Sequence, residues 1–243
     1  MIVAYDGTEF AGFQTQVDRR TVQGTLEQAI GQIVGQPTRI VGAGRTDAGV
    51  HASGQVISFQ TESRLPAAVL GRALNAVLPV DVSTLDAAEA PNGFDARFQA
   101  RSREYCYTIW NAPERSALRH RYSYHWRTHL DVDAMDRAAQ ALIGRHDFAA
   151  YSGAIRSEAR PATTVRSLFR MHCWRQGSEV FISTVANAFL PHMVRNLVGT
   201  LIPVGMRELT TEDVVAILAS RDRGRAGPTA PARGLCLTRV QYV

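Results

Sequence analysis

Apolar residues recur along this chain at two spacings, one helical and one alternating, and these predict most of its elements. Between Thr21 and Gly35, Val22, Leu26, Ile30, Ile33 and Val34 share one helical face, and Pro37 stops the pattern. A second helix starts at Pro66 and turns Val69, Leu70, Ala73, Leu74 and Val77 inward. Around them "IVAYD", "TRIVG", "GQVISFQT", "DVSTLDAAEA" and "REYCYTIW" read as strands. In the last of these Tyr105, Tyr107 and Ile109 alternate with Cys106, Thr108 and Trp110.

The second half repeats the rhythm. "YSYHWRT" reads as a strand, and Asp131 caps a helix bearing Val132, Met135, Ala139 and Leu142. "TTVRSLFRMHCW" and "EVFISTVA" form neighbouring strands joined through Gly177 and Ser178. A helix from near Pro191 carries Met193, Val194, Leu197, Val198, Leu201 and Ile202. A shorter one, "TEDVVAILAS", follows, and "GLCLTRVQYV" closes as a strand. The predicted class is α+β: two ferredoxin-like, RRM-like β-α-β-β-α-β halves, with antiparallel sheets side by side and a central cleft. Residues 1–112 form the N-terminal half, 113–119 the connector within a polar, proline-containing stretch, and 120–243 the C-terminal half that completes the cleft.

Composition narrows the class. The 243 residues carry 45% hydrophobic and 20% charged side chains, as a globular protein does. The best candidate for a membrane span, "AFLPHMVRNLVGTLIPVG", is interrupted by His192, Arg195 and Asn196. "MIVAYDG" has neither a basic leader nor a cleavage site, so the expectation is a cytoplasmic protein with no membrane partner. Three widely spaced cysteines and seven histidines make no CxxC or HExxH pattern, which predicts a reduced chain without metal. The net charge is +5, and every one of the 27 basic residues is arginine. They cluster in 97–103, 115–121, 156–170 and 221–225, which favours a nucleic-acid partner.

The chemistry concentrates in "VGAGRTDAGVHASGQVISF", residues 41–59. Gly42, Gly44 and Gly49 frame Arg45, Asp47 and His51. Such a loop can push Asp47 into a cleft, or it can be an Asx-type turn in which Asp47 bonds to its own backbone. Arg45, two residues before Asp47, points to the same side on an extended segment.

"GRTDAGVHA" resembles the signature of the tRNA pseudouridine synthase A family. The resemblance runs along essentially the whole chain, through "YDGTEFAGFQTQ", "TVQGTLEQAI", "LNAVLP", "FDARFQARSREYCY", "GRHDFAAY", "AFLPHMVRNLVGTL" and "APARGLCL" in order. It implies isomerisation of uridine to pseudouridine at positions 38, 39 and 40 of the tRNA anticodon arm, with no cofactor, by a homodimer whose tRNA crosses both subunits. It places the catalytic aspartate on Asp47 and its basic partner on Arg195. Arg45 then fills the space of the extruded nucleotide or holds its phosphate. Tyr105 matches the tyrosine that stacks on the target uracil, and Leu235 lines the uracil pocket. Arg97, Arg101 and Arg103 are read as phosphate contacts. Tyr5, Asp6 and Gly7 shape the first strand's turn, Gln14 approaches RNA, and His51 bonds to backbone or phosphate. One departure is Tyr151, where the family's pattern has phenylalanine followed by arginine. A non-catalytic tandem RNA-binding protein lacks its full RRM motif here, and a glycoside hydrolase lacks a second glycine-framed acid.

Overall fold

The computed structural model describes residues 1–153 and 163–242. It is a mixed α/β protein with five α-helices and a mostly antiparallel set of strands among these residues. Two compact units form: Met1–Arg101 with Cys236–Val243, and Ser102–Leu235. Among the described residues no helix is long and apolar enough to cross a membrane.

The first unit runs β1 (Ile2–Tyr5), α1 (Val22–Val34), β2 (Val41–Gly42), β3 (His51–Ser58), α2 (Ala67–Val77) and β4 (Val82–Asp86). Its strands line up as β4-β1-β3, antiparallel throughout, with β2 also on β3. The closing strand β10 (Leu235–Gln241) pairs with β3 in parallel at Cys236 and Leu237. Thr21 accepts the Gly24 N–H to start α1, and Gly35, at φ +77°, ends it. Val22, Leu26, Ala29 and Ile30 bury its inner face, and Leu70 and Leu74 do the same for α2. Val77, expected inward, is 38% exposed. "TRIVG" shortens to two strand residues because Glu27 and Gln23 of α1 take the Ile40 N–H and C=O that a ladder would otherwise use.

The second unit contains β5 (Ser102–Asn111), β6 (Tyr124–Trp126), α3 (Val132–Gln140), β7 (Gly144–Asp147), β8 (Val165–Gln176), β9 (Glu179–Ala186), α4 (Met193–Gly205) and α5 (Thr211–Ser220). The sheet order is β5-β9-β8-β7, antiparallel, with β6 parallel to the end of β5. Tyr107 and Ile109 of β5, Ile182 and Thr184 of β9 and Met171 of β8 supply the buried face, each wholly buried. Asp131 caps α3 as expected, whereas the cap of α5 is Thr210 in a reciprocal pairing with Asp213. Strand β7 has no counterpart in the sequence reading. Tyr151 is a core residue, fully buried with its hydroxyl on the Val214 carbonyl.

Candidate active site

The loop between β2 and β3 is built from below. Thr46 is buried, and its hydroxyl meets the Tyr5 hydroxyl at 2.8 Å. Its flanking residues take the outward positions, Arg45 exposed and Asp47 half-buried. The Thr46 carbonyl also accepts the Phe13 N–H at 3.0 Å, so the loop is pinned to the segment before α1. Burial makes the Tyr5 hydroxyl a far weaker acid than usual, so it remains a neutral hydrogen-bonding group.

Gln55 holds the first half of the loop. It is completely buried, its amide nitrogen donates to the Gly44 carbonyl at 2.7 Å, and its oxygen accepts the Gly44 N–H at 3.2 Å. The same oxygen accepts the Val56 N–H. At the far end, the Asp47 carbonyl accepts the Val50 N–H at 3.1 Å and Gly49 takes φ +78°. His51 then opens β3, buried, with Nδ1 3.0 Å from the Gly7 N–H and 3.1 Å from the Asp6 carboxylate. A Cβ on Gly7 would sit 2.0 Å from the Val50 carbonyl oxygen, so the first strand's turn presses directly on the loop's end.

One guanidinium group of this unit feels another. Arg45 is held below the usual arginine pKa, first by partial desolvation and then by the positive charge of Arg97. Arg97 and Arg101 are both exposed, and the Arg101 N–H is tied to the Gln241 carbonyl of β10's end at 2.8 Å. This is an arrangement that attracts an anion.

The remaining candidates lie in the second unit. Arg195, in the first turn of α4, donates through Nε to the Ala230 carbonyl at 2.7 Å, while its own carbonyl accepts the Ala230 N–H. That reciprocal pair fixes the guanidinium plane. The neighbouring Asn196, fully buried, bonds Tyr151, Arg223 and Thr229 and so anchors the helix. A Cβ on Gly199 would lie 1.7 Å from the Pro228 oxygen, which shows how closely the 227–230 segment lies on α4. Tyr105 is 7% exposed, with its ring edge-to-face against Phe189 at 5.1 Å. Arg103 donates to the Asn187 carbonyl at 2.9 Å. Leu235 is buried at the start of β10, directly after Gly234, whose backbone abuts the Tyr107 ring.

Sequence reasoning missed Gln55. Its signal is a glutamine at the core-facing position of "GQVIS", where an apolar residue would ordinarily stand. Of the arginine cluster 156–170, the positions 156 and 160 lie outside the described residues. A cavity of the second unit, about 1150 Å³ and lined by Leu130, Asp131, Arg137, His172, Trp174 and Arg207 among others, contains none of the candidates. Among the described residues no group of three His, Cys, Asp or Glu side chains could hold a metal ion.

Comparison with known proteins shows the family. A family model described as tRNA pseudouridine synthase matches residues 1–99 and 138–243. The tRNA pseudouridine synthase A of Moorella thermoacetica is 46% identical over 99% of this chain and 97% of its own length. That of Methylobacterium nodulans is 46% identical over 100% and 94%, and that of Chloroflexus aurantiacus 47% over 100% and 87%. The class is therefore that of an isomerase, and the chain is an enzyme. Within that class, the chain belongs to the tRNA pseudouridine synthase family.

Proposed function

We propose that this enzyme converts uridine to pseudouridine at positions 38, 39 and 40 of the tRNA anticodon stem-loop. The observation that carries the reading is the braced loop of Gly42–Val50, which presents Asp47 and Arg45 outward from a buried Thr46. In the reaction the N1–C1′ bond breaks, the uracil turns, and C5 bonds to C1′. C5 loses its proton and N1 gains one, so atoms balance with no redox partner. Asp47 acts as an ionised carboxylate, either adding to the substrate or taking a ribose proton.

In this reading Arg195 is the cationic partner of Asp47, and Arg45 occupies the space of the extruded nucleotide or holds its phosphate. Tyr105 stacks on the uracil and Leu235 lines its pocket. Arg97, Arg101 and Arg103 bind phosphates, for which the fork geometry of guanidinium is suited. The tRNA anticodon arm is the partner, and the working form is a homodimer. Sedimentation of the pure protein as monomer alone would overturn the last point.

The test is tritium release from tRNA labelled with [5-³H]uridine. Wild type should release tritium without added metal. Asp47→Asn should lose at least about 10²- to 10⁴-fold in rate while keeping most of its tRNA affinity. Arg45→Ala should lower turnover more than affinity. Undiminished release by the Asp47 variant would reject the assignment.

A further inference from the structure

We propose that Phe98 is a stacking platform for an unpaired base of the RNA substrate, set beside the arginines that meet its phosphates; this rests on the tRNA reading above. Phe98 lies at the tip of a turn whose base is fixed. Asp95 Oδ1 accepts the N–H groups of Arg97 at 2.7 Å and Phe98 at 2.9 Å, and the Asp95 carbonyl accepts Gln99 N–H. Ala96, wholly buried, donates to the Ser58 hydroxyl of β3 and accepts from the Tyr242 hydroxyl at 2.7 Å. The Phe94 ring packs on Tyr242 at 5.1 Å. The base of the tip is thus fixed, and on it Phe98 is 80% exposed.

Exposure alone would not single this residue out, since Val80 and Leu118 are more exposed still. The conjunction does. The most exposed of the large apolar residues are aliphatic, whereas Phe98 offers a flat π face. The Arg97 guanidinium lies 5.4 Å from its ring centroid, and the charge of Arg97 reaches Arg45 in the loop that carries Asp47. Arg101 follows three residues on, also exposed. Aromatic faces interleaved with guanidinium groups are how proteins hold single-stranded bases, because every base has a π face and every nucleotide a phosphate. Inside a duplex both faces of every base are covered by its neighbours, so the occupant is a base outside the stem.

Two RNAs distinguish the outcomes: a hairpin with an unpaired loop, and a blunt duplex of the same stem. Phe98→Ala should raise Kd for the hairpin by about 5- to 150-fold, the loss of one stacked base, and leave the duplex unchanged. Phe98→Trp should restore hairpin binding. Neither should alter the slope of log Kd against log salt, whereas Arg97→Ala should flatten it by about one unit. A hairpin Kd within about twofold of wild type would overturn the proposal. So would an equal loss for both RNAs, or an altered sedimentation of the RNA-free Phe98→Ala protein, which would make the ring a contact between protein copies. Tritium release by wild type is measured alongside. Its absence rejects the isomerase reading; its presence, with an unaffected Phe98→Ala, rejects only this inference.

Discussion

Replacing Gln55 tests whether the loop of Asp47 is held by one buried amide. Gln55→Leu keeps much of the volume but removes the donor to the Gly44 carbonyl and the acceptor for the N–H groups of Gly44 and Val56. A hydrogen bond contributes about 1 kcal/mol net, and a buried backbone group left without a partner costs about 1–3 kcal/mol. Gly44 is only half-buried, so water repairs part of the loss. The expected net destabilisation is about 3 kcal/mol, or roughly 6–12 °C in Tm for a chain of this size. Gln55→Glu sharpens the test. While protonated, the introduced carboxyl can still donate to the Gly44 carbonyl; once ionised, it faces that oxygen at a position closed to solvent. Burial therefore raises its folded pKa above the unfolded value of about 4.3. For an acid shifted upward, stability is full below the unfolded pKa and falls by up to about 1.4 kcal/mol per pH unit above it, until the folded pKa is reached. Calorimetry at about pH 4 and about pH 8 should show Gln55→Glu near wild type at the lower pH and well below it at the higher. A flat pH response, or a Gln55→Leu protein that melts with wild type, would refute the bracing role.

Gly199→Ala should destabilise by about 3 kcal/mol or more, because its Cβ would meet the Pro228 backbone at 1.7 Å; Gly35→Ala, with nothing within 4 Å but φ +77°, should cost only about 1–2 kcal/mol. Urea midpoints compare the two, and equal losses would contradict the close approach at α4. Asp131 is held below the usual carboxylate range, first by the Ala134 N–H and then by Arg207. A depressed acid stabilises above its unfolded pKa and loses that contribution as pH falls through its folded pKa. Asp131→Asn should therefore weaken the acid dependence of stability below about pH 4, and an unchanged acid limb would remove Asp131 from the account.

Much of the secondary structure was legible because local pattern and tertiary burial agree. The face of α1 that buries Val22, Leu26 and Ile30 is the one the spacing marks, and β9 spans "EVFISTVA". Failures came where a distant partner decides. Strand β7 reads Gly-Arg-His-Asp, with no apolar alternation at all, and exists because β8 offers it a full antiparallel register. "TRIVG" has the alternation yet loses most of its strand, because two side chains of α1 satisfy its backbone first. Tyr151, a departure from the family's pattern, is a core residue whose hydroxyl bonds the Val214 carbonyl.

The loop of Asp47 was legible as unusual but not as a mechanism, since its three glycines answer to three different forces. Gly49 is needed for its backbone, at φ +78°. Gly42 is needed for space, because a Cβ there would lie 2.4 Å from the Phe13 ring. Gly44 has both backbone groups engaged by Gln55. From sequence all three read alike, as permissive positions around a polar cluster. Only the second and third depend on residues far along the chain, Phe13 from the segment before α1 and Gln55 from β3. The loop's glycines are therefore not there to make it mobile. They let neighbouring segments close on it: the Phe13 ring lies against Gly42 and Gln55 binds both backbone groups of Gly44, so the loop is held from two sides.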